Sequence, residues 1–184
     1  VTSLGALLLN PPIAGGAQTI RHLRVVAGLL ECDDLEIANL FAIPTRDVTA
    51  INRAGRASDG WEAARSRLRQ VITEADHLLA GWGVSGLTGQ AAANQRAQLC
   101  YVGECARESG KDYIWTLNGE ARHPSRWHQY VSDRHGRASG ASMNERMAMV
   151  LTSLPLTTLC PESRPRDEVI PCPTPVPSAE RRGS

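Results

Sequence analysis

The stretch LGALLLNPP, Leu4 to Pro12, decides how the rest of the chain is read. A short apolar run cut off by Asn10 and two prolines is a buried strand entering a rigid turn. A strand packed on both faces has no polar alternation, and proline cannot continue its ladder. In residues 19–30, Ile20, Leu23, Val26, Ala27 and Leu30 recur at helical spacing, which predicts a crossover helix. Similar apolar runs at 35–41, 77–82 and 99–102 predict three more parallel strands. Helices are predicted at 59–74, capped by Asp59 with Trp61, Ala64, Leu68, Val71 and Ile72 on one face, at 90–98, and at 142–154, where Met143, Met147, Val150, Leu151 and Leu154 share a face. Residues 113–117 have the composition of a further short strand, followed by an Asn118-Gly119 turn. This alternation predicts an α/β fold, a three-layer α/β/α arrangement around a central, mainly parallel four-stranded sheet.

The expected domain covers residues 1–154. Seven of the eleven prolines lie from Pro155 onward, so residues 155–184 are expected to be a Pro-rich tail, disordered or laid along the surface. A chain of 184 residues with 42% hydrophobic content fills one core, and no internal repeat is present. The formal charge is +1, so any preference for nucleic acid must come from local clustering. Lys111 is the only lysine among the 20 basic residues, an arginine bias that suits phosphate contacts and equally a GC-rich genome.

Cys32, Cys100, Cys105, Cys160 and Cys172 include no CxxC pair, which points to reduced thiols rather than a zinc site or a disulfide framework. No run approaches the ~20 apolar residues of a membrane span, and residues 4–9 are too short and lack a basic leader for a signal peptide. The expectation is a soluble cytoplasmic monomer without metal or cofactor.

In open α/β sheets the ligand sits beyond the carboxyl ends of the strands. That rule selects Asn10-Pro11-Pro12 with the following Ile13-Ala14-Gly15-Gly16, then Asn39-Leu40-Phe41, Gly81-Trp82-Gly83, and the loop Arg122-His123-Pro124-Ser125-Arg126-Trp127-His128. Taken singly, each is also a common turn or packing element.

Their order along the chain carries more. LLLNPP, TIR at 19–21, IANLFA at 37–42, SDGW at 58–61, AGWG at 80–83 and NGEARHP at 118–124 resemble an uncharacterised bacterial domain family. Its pattern runs LNPSTA, DPTIR, VVNLFA, NDAW, AWG and DGxPRHP, and the match covers roughly residues 4 to 127. The same order is similar to the uracil-DNA glycosylase superfamily, with its water-positioning motif after the first strand, an Asn-ending strand, a Trp-Gly motif and a late His-Pro-Ser loop. The resemblance implies a uracil-DNA glycosylase-like fold and a monofunctional DNA glycosylase, with DNA as partner. Such an enzyme removes a nonstandard or modified pyrimidine and leaves an abasic site, and the small residues near Pro12 favour a bulky base. A role in defence against phages with modified DNA would follow.

In that reading Asn10 places the attacking water and His123 donates to the departing base, the two catalytic roles. Pro11, Pro12, Ile13, Asn39, Phe41 and Trp82 bind the base, Asn39 reading its edge and Phe41 or Trp82 stacking on it. Arg122, Ser125, Arg126, Trp127 and His128 contact DNA, with Trp127 as the wedge that holds the gap left by a flipped base. Residues 122–137 carry four arginines and three of the five histidines against Asp133 alone. The chain departs from the pattern at Pro12, where the family has Ser, and at Gln18, where an acidic residue is expected before TIR. It also lacks the aspartate that efficient uracil enzymes carry beside Asn10-Pro11, and its cysteine spacing does not resemble the iron–sulfur class. Two alternatives stand beside this reading. One is a nucleotide- or nucleoside-binding protein or hydrolase without duplex-DNA activity, and the other an interaction domain working through its tail.

Overall fold

A computed structural model describes residues 1–83, 86–132 and 141–160. The chain runs β1 (Ser3–Leu8), α1 (Ala17–Leu29), β2 (Asp34–Asn39), α2 (Val48–Ala54), α3 (Asp59–Glu62), α4 (Arg65–Glu74), β3 (His77–Gly81), α5 (Gly89–Glu108), β4 (Tyr113–Leu117), α6 (His128–Val131), α7 (Met143–Val150) and β5 (Leu151–Pro155). The sheet order is β2-β1-β3-β4-β5, with the first four strands parallel and β5 antiparallel to β4. β1 therefore has β2 on one side and β3 on the other. The chain reverses its direction of winding there, which opens a crevice at the strands' carboxyl ends.

Two apolar clusters cover the two faces, as a three-layer arrangement requires. Leu4, Ala6, Leu8, Leu79 and Leu117 pack with α1, α6 and α7 residues such as Leu23, Val26, Tyr130 and Met147. Leu7, Ala38, Leu78, Ala80 and Ile114 pack with α4 and α5 residues such as Leu68, Ile72, Val102 and Ala106. The period-2 alternation of β1 thus exists in space although no residue from Leu4 to Leu8 is polar. Phe41 joins the second cluster, its ring 4.9 Å from that of Trp61.

Three expectations are corrected. Residues 99–102 are not a strand but the middle of α5, whose inner face is Ala91, Gln95, Gln98, Val102, Cys105 and Ala106. The fourth parallel strand is Tyr113–Leu117. The helix predicted through residue 154 stops at Val150, and residues 151–155 form β5 instead, making five strands rather than four. The exposed edge of β4 is what recruits it: Leu117 pairs with Leu151, and the Thr116 hydroxyl donates to the Thr152 carbonyl at 3.0 Å.

The packed unit also continues past residue 154. Leu156 is 2% exposed within the second cluster, in a 3-10 turn over Leu156–Thr158. Just beyond it Cys160 is disulfide-bonded to Cys100 of α5, with Cα atoms 4.8 Å apart, so the expectation of reduced thiols fails for this pair. Cys32 and Cys105 are free thiols; Cys172 and residues 161–184 of the tail expected over 155–184 lie outside the described residues. The cross-link closes a sequence separation of 60 residues. Reduction, or Cys160→Ser, should lower the stability measured by denaturant titration by about 2–4 kcal/mol. An unchanged midpoint in reductant would show that the bond does not form in solution. Among the described residues no helix is long and apolar enough to cross a membrane, and no group of His, Cys, Asp and Glu could hold a metal ion.

Candidate functional site

The register puts the ends of three strands side by side, with Leu8 of β1 flanked by Asn39 of β2 and Gly81 of β3. The chain beyond each end then meets at one place. Two adjoining clefts open there. The first, about 710 Å³, is lined by Leu8, Asn10, Pro12–Gly16, Thr19, Ile20, Ile37, Asn39, Thr45, Arg46 and His123. The second, about 620 Å³, lies across Asn10, Thr45, Arg46 and His123, which belong to both, and adds Trp82, Arg122, Ser125, Arg126 and Gln129 among others. Both volumes are in the range of small-ligand sites.

The His123 loop reaches this edge because β3 ends in glycine. A Cβ on Gly81 would sit 2.8 Å from Leu8 Cδ2 and 3.2 Å from Pro124 Cδ, so only glycine lets Pro124 pack against the strand end. The Gly83 N–H then donates to the Ala121 carbonyl at 2.6 Å. From the other face, the buried His22 of α1 binds the Pro124 carbonyl through Nδ1 at 2.6 Å. A carbonyl only accepts, so His22 Nδ1 carries the proton. His22 and Trp127 stack with ring centroids 6.0 Å apart.

Asn10 and His123 are each held in one orientation. Asn10 Nδ2 donates to the Pro11 carbonyl at 3.0 Å and the Thr45 carbonyl at 3.1 Å. Both amide protons are then engaged, leaving Oδ1, an acceptor, as the side chain's remaining group. The Ser125 backbone N–H donates to His123 Nδ1 at 3.2 Å, and Ser125 Oγ lies 2.8 Å from the same nitrogen. Because a backbone N–H can only donate, Nδ1 must accept, so in the neutral ring the proton resides on Nε2. Burial, and then the charge of Arg126, push the His123 imidazole below its ordinary value, which favours that neutral form. Nearby, Asn39 Oδ1 and Thr45 Oγ1 are buried without a hydrogen-bond partner among the described residues. Such atoms are rare in folded proteins and mark places where something else supplies the bond.

Of the residues singled out from the sequence, Asn10, Pro12, Ile13, Asn39 and His123 come together at the first cleft, and Pro11 supports Asn10 through its carbonyl. Trp82 lines the second cleft only, together with Arg122, Ser125 and Arg126. Arg122 is engaged by Glu120 and lies over the Tyr130 ring, whereas Arg126 is exposed. His128 donates through Nδ1 to the Ser125 carbonyl at 3.0 Å and so braces the loop. Two assignments are corrected. Phe41 is 0% exposed and covered by Gly60, where a Cβ would lie 2.2 Å from its ring, so it stacks on no ligand. Trp127 is also 0% exposed, its Nε1–H donating to the Arg122 carbonyl at 2.7 Å, so it is a core residue and not a wedge. Residues 133–137 of the basic stretch lie outside the described residues. Sequence reasoning missed Thr45, Arg46 and His22. Only His22 had a signal, a lone histidine on the apolar face of α1.

Stability should depend on pH through the two imidazoles. Burial, the largest effect, holds His22 below its ordinary value even though the bond to Pro124 opposes it, and His123 is lowered as well. The unfolded chain takes up these protons near pH ~6.5, the folded chain only at lower pH. Stability is therefore fully present above about pH 6.5 and is lost as pH falls through the depressed folded values. Thermal unfolding should show a midpoint that drops between about pH 7 and pH 5, before most carboxylates titrate. A flat profile would mean that both rings accept protons in the folded state.

A family profile described as "Protein of unknown function (DUF1643)" matches residues 2–125. No curated protein and no solved structure matches the chain. The matched span includes every residue that lines the first cleft.

Proposed function

The chain belongs to the family described as Protein of unknown function (DUF1643), and from the cleft's chemistry we propose that it is a DNA glycosylase. In this reading it hydrolyses the bond between deoxyribose and a nonstandard or modified pyrimidine. The observation that carries the reading is the enforced polarity of the first cleft: an N–H donor at His123 Nε2 and an acceptor at Asn10 Oδ1, with Asn39 Oδ1 left unpaired. Breaking an N-glycosidic bond calls for that pair. As the C1′–N bond lengthens, the sugar becomes oxocarbenium-like and the base gathers negative charge. His123 Nε2–H stabilises the departing base, and a neutral imidazole does so without protonating it outright. Asn10 Oδ1 accepts a hydrogen bond from water and directs its oxygen to C1′; the water's proton leaves to solvent once the C–O bond forms. The pyrimidine's ring N–H fits the unpaired Asn39 Oδ1. No cofactor enters these steps.

The burial of Trp127 favours a second reading, an enzyme of free nucleotides or nucleosides, because it removes the wedge a duplex enzyme needs. Ile13, 53% exposed at the first cleft, is an apolar side chain placed for that task. On duplex substrate Ile13→Ala should lower turnover about tenfold while leaving single-stranded turnover nearly unchanged. Equal effects on both would count against a wedge role.

The test of function is incubation with single- and double-stranded DNA carrying uracil, hydroxymethylated or glucosylated pyrimidines, followed by alkaline cleavage at abasic sites, with Asn10→Ala as control. Cleavage at one base type that disappears in the variant supports the glycosylase. Silence on every DNA, with release of base from free nucleotides, replaces it by the second reading.

A further inference from the structure

The amino-terminal end of α1 opens on the first cleft through Gly15 and Gly16. Gly15 and Gly16 have φ of 82° and 93°, in the left-handed region that glycine tolerates. No side chain caps the helix, and its first turn contains no acidic residue. The first intrahelical bond runs from Ile20 N–H to the Gly16 carbonyl at 2.9 Å. The N–H groups of Ala17, Gln18 and Thr19 precede it and find no acceptor within the helix. α1 has 13 residues, long enough for its dipole to add partial positive charge at this end.

A second observation comes from Thr19. It is 9% exposed and lines the first cleft, yet its hydroxyl has no hydrogen-bond partner among the described residues. Gly15 and Gly16 line the same cleft, and on their other side they line a groove together with Arg21 and Arg24. Free backbone donors, an unpartnered hydroxyl on a residue of the cleft wall and guanidinium groups in the adjoining groove are what a phosphate oxygen requires. Neither Asn10 nor His123, which serve the attacking water and the departing base in the proposed reaction, supplies this.

We propose that the start of α1, with the Thr19 hydroxyl, is a phosphate subsite, so that the cleft takes a nucleotide unit rather than a free base or nucleoside. This rests on the nucleobase reading only for the identity of the ring that accompanies the phosphate. The phosphate can belong to a free nucleotide or to a strand, and the same chemistry holds both.

The test uses the full chain labelled with nitrogen-15. Inorganic phosphate should shift the amide resonances of Ala17, Gln18 and Thr19. Deoxyuridine 5′-monophosphate should bind about ten- to hundredfold more tightly than deoxyuridine. Gln18→Glu sets a carboxylate in competition for the same N–H groups. It should bring the nucleotide and nucleoside affinities together while leaving the thermal midpoint equal or higher. Thr19→Val should reduce the same gain in part. A trinucleotide with uracil at its centre separates the sources: tighter binding than the mononucleotide points to a strand, weaker binding to a free nucleotide, and loss of either in Gln18→Glu supports the subsite. Silent amides in phosphate, or equal affinity for nucleoside and nucleotide, would overturn it. If these amides respond to phosphate while His123 and Asn39 respond to neither uracil ligand, the base reading fails and the phosphate subsite stands.

Discussion

Trp127→Ala should cost about 3–5 kcal/mol of folding stability, the range for removing a large aromatic side chain from a packed core. The indole is 0% exposed among Leu8, Leu23, Tyr130 and Met147, the cluster that joins α1, α6 and α7 to the sheet. Its Nε1–H satisfies the Arg122 carbonyl, and its ring stacks on His22, which in turn holds the Pro124 carbonyl. Truncation therefore opens a cavity and frees the loop that carries His123. Trp127→Phe keeps most of the apolar area but leaves the Arg122 carbonyl without its donor, and should cost about 1–3 kcal/mol. Denaturant unfolding of the three proteins measures both steps. A loss under about 1 kcal/mol for the alanine variant would mean that the ring is not bound into the core and is free to swing outward as a wedge would.

The burial of Trp127 was in fact written in the chain. Pro124, Trp127, Tyr130 and Val131 are all buried, and their spacing of three, six and seven residues is that of one helical face. Flanking Arg126 and His128 hide this pattern when the segment is read for charge. Read for periodicity, it predicts an inward tryptophan.

Elsewhere the limits of sequence reading were set by segments that satisfy two patterns at once. Leu151 and Leu154 are three apart, so residues 151–155 continue the face of α7 as well as they form a strand, and only the open edge of β4 decides between them. In α5 the inner face includes Gln95 and Gln98, which break the apolar stripe and make residues 99–102 look like an isolated strand. Gln98 is buried because it holds two carbonyls, those of Leu40 at 3.0 Å and Trp61 at 2.7 Å. Those partners are 58 and 37 residues away, outside any local window. The Cys100–Cys160 bond is equally non-local. The central strands β1 and β3 were legible because a strand buried on both faces needs a nearly unbroken apolar run, whereas the edge strand β2 alternates exposed Asp34 and Glu36 with Leu35 and Ile37.

The site was legible to the extent that strand ends define it. Asn10 and Asn39 follow directly from where β1 and β2 stop, and His123 from a motif after β4. Thr45 and Arg46 lie in a loop without periodicity, and nothing in their composition marks them. What no sequence pattern reveals is hydrogen-bond polarity: that Asn10 has spent both amide protons on carbonyls, and that His123 Nδ1 receives the Ser125 N–H. Those two facts turn a list of polar residues into an acceptor and a donor with defined places.

That polarity leads to the largest effect expected on activity. In the glycosylase reading, His123→Ala should reduce turnover about 10²–10³-fold, the loss that follows removal of one preorganised donor to developing negative charge. The deficit should shrink for bases that depart more readily, since these need less help as charge develops; a purely structural role would lower all substrates equally. Ser125→Ala is the companion variant. It removes the hydroxyl beside His123 Nδ1 but keeps the backbone N–H, so the Nε2–H tautomer survives and the loss should stay within a few-fold. The pH profile adds an independent reading. Protonation of Nδ1 sets two donors against each other at Ser125, so turnover should be level above the lowered value of the imidazole and fall below it. In His123→Ala that limb should vanish. An alanine variant that keeps its rate and its acid limb would remove His123 from the chemistry and leave Asn10 and Asn39 to account for the cleft.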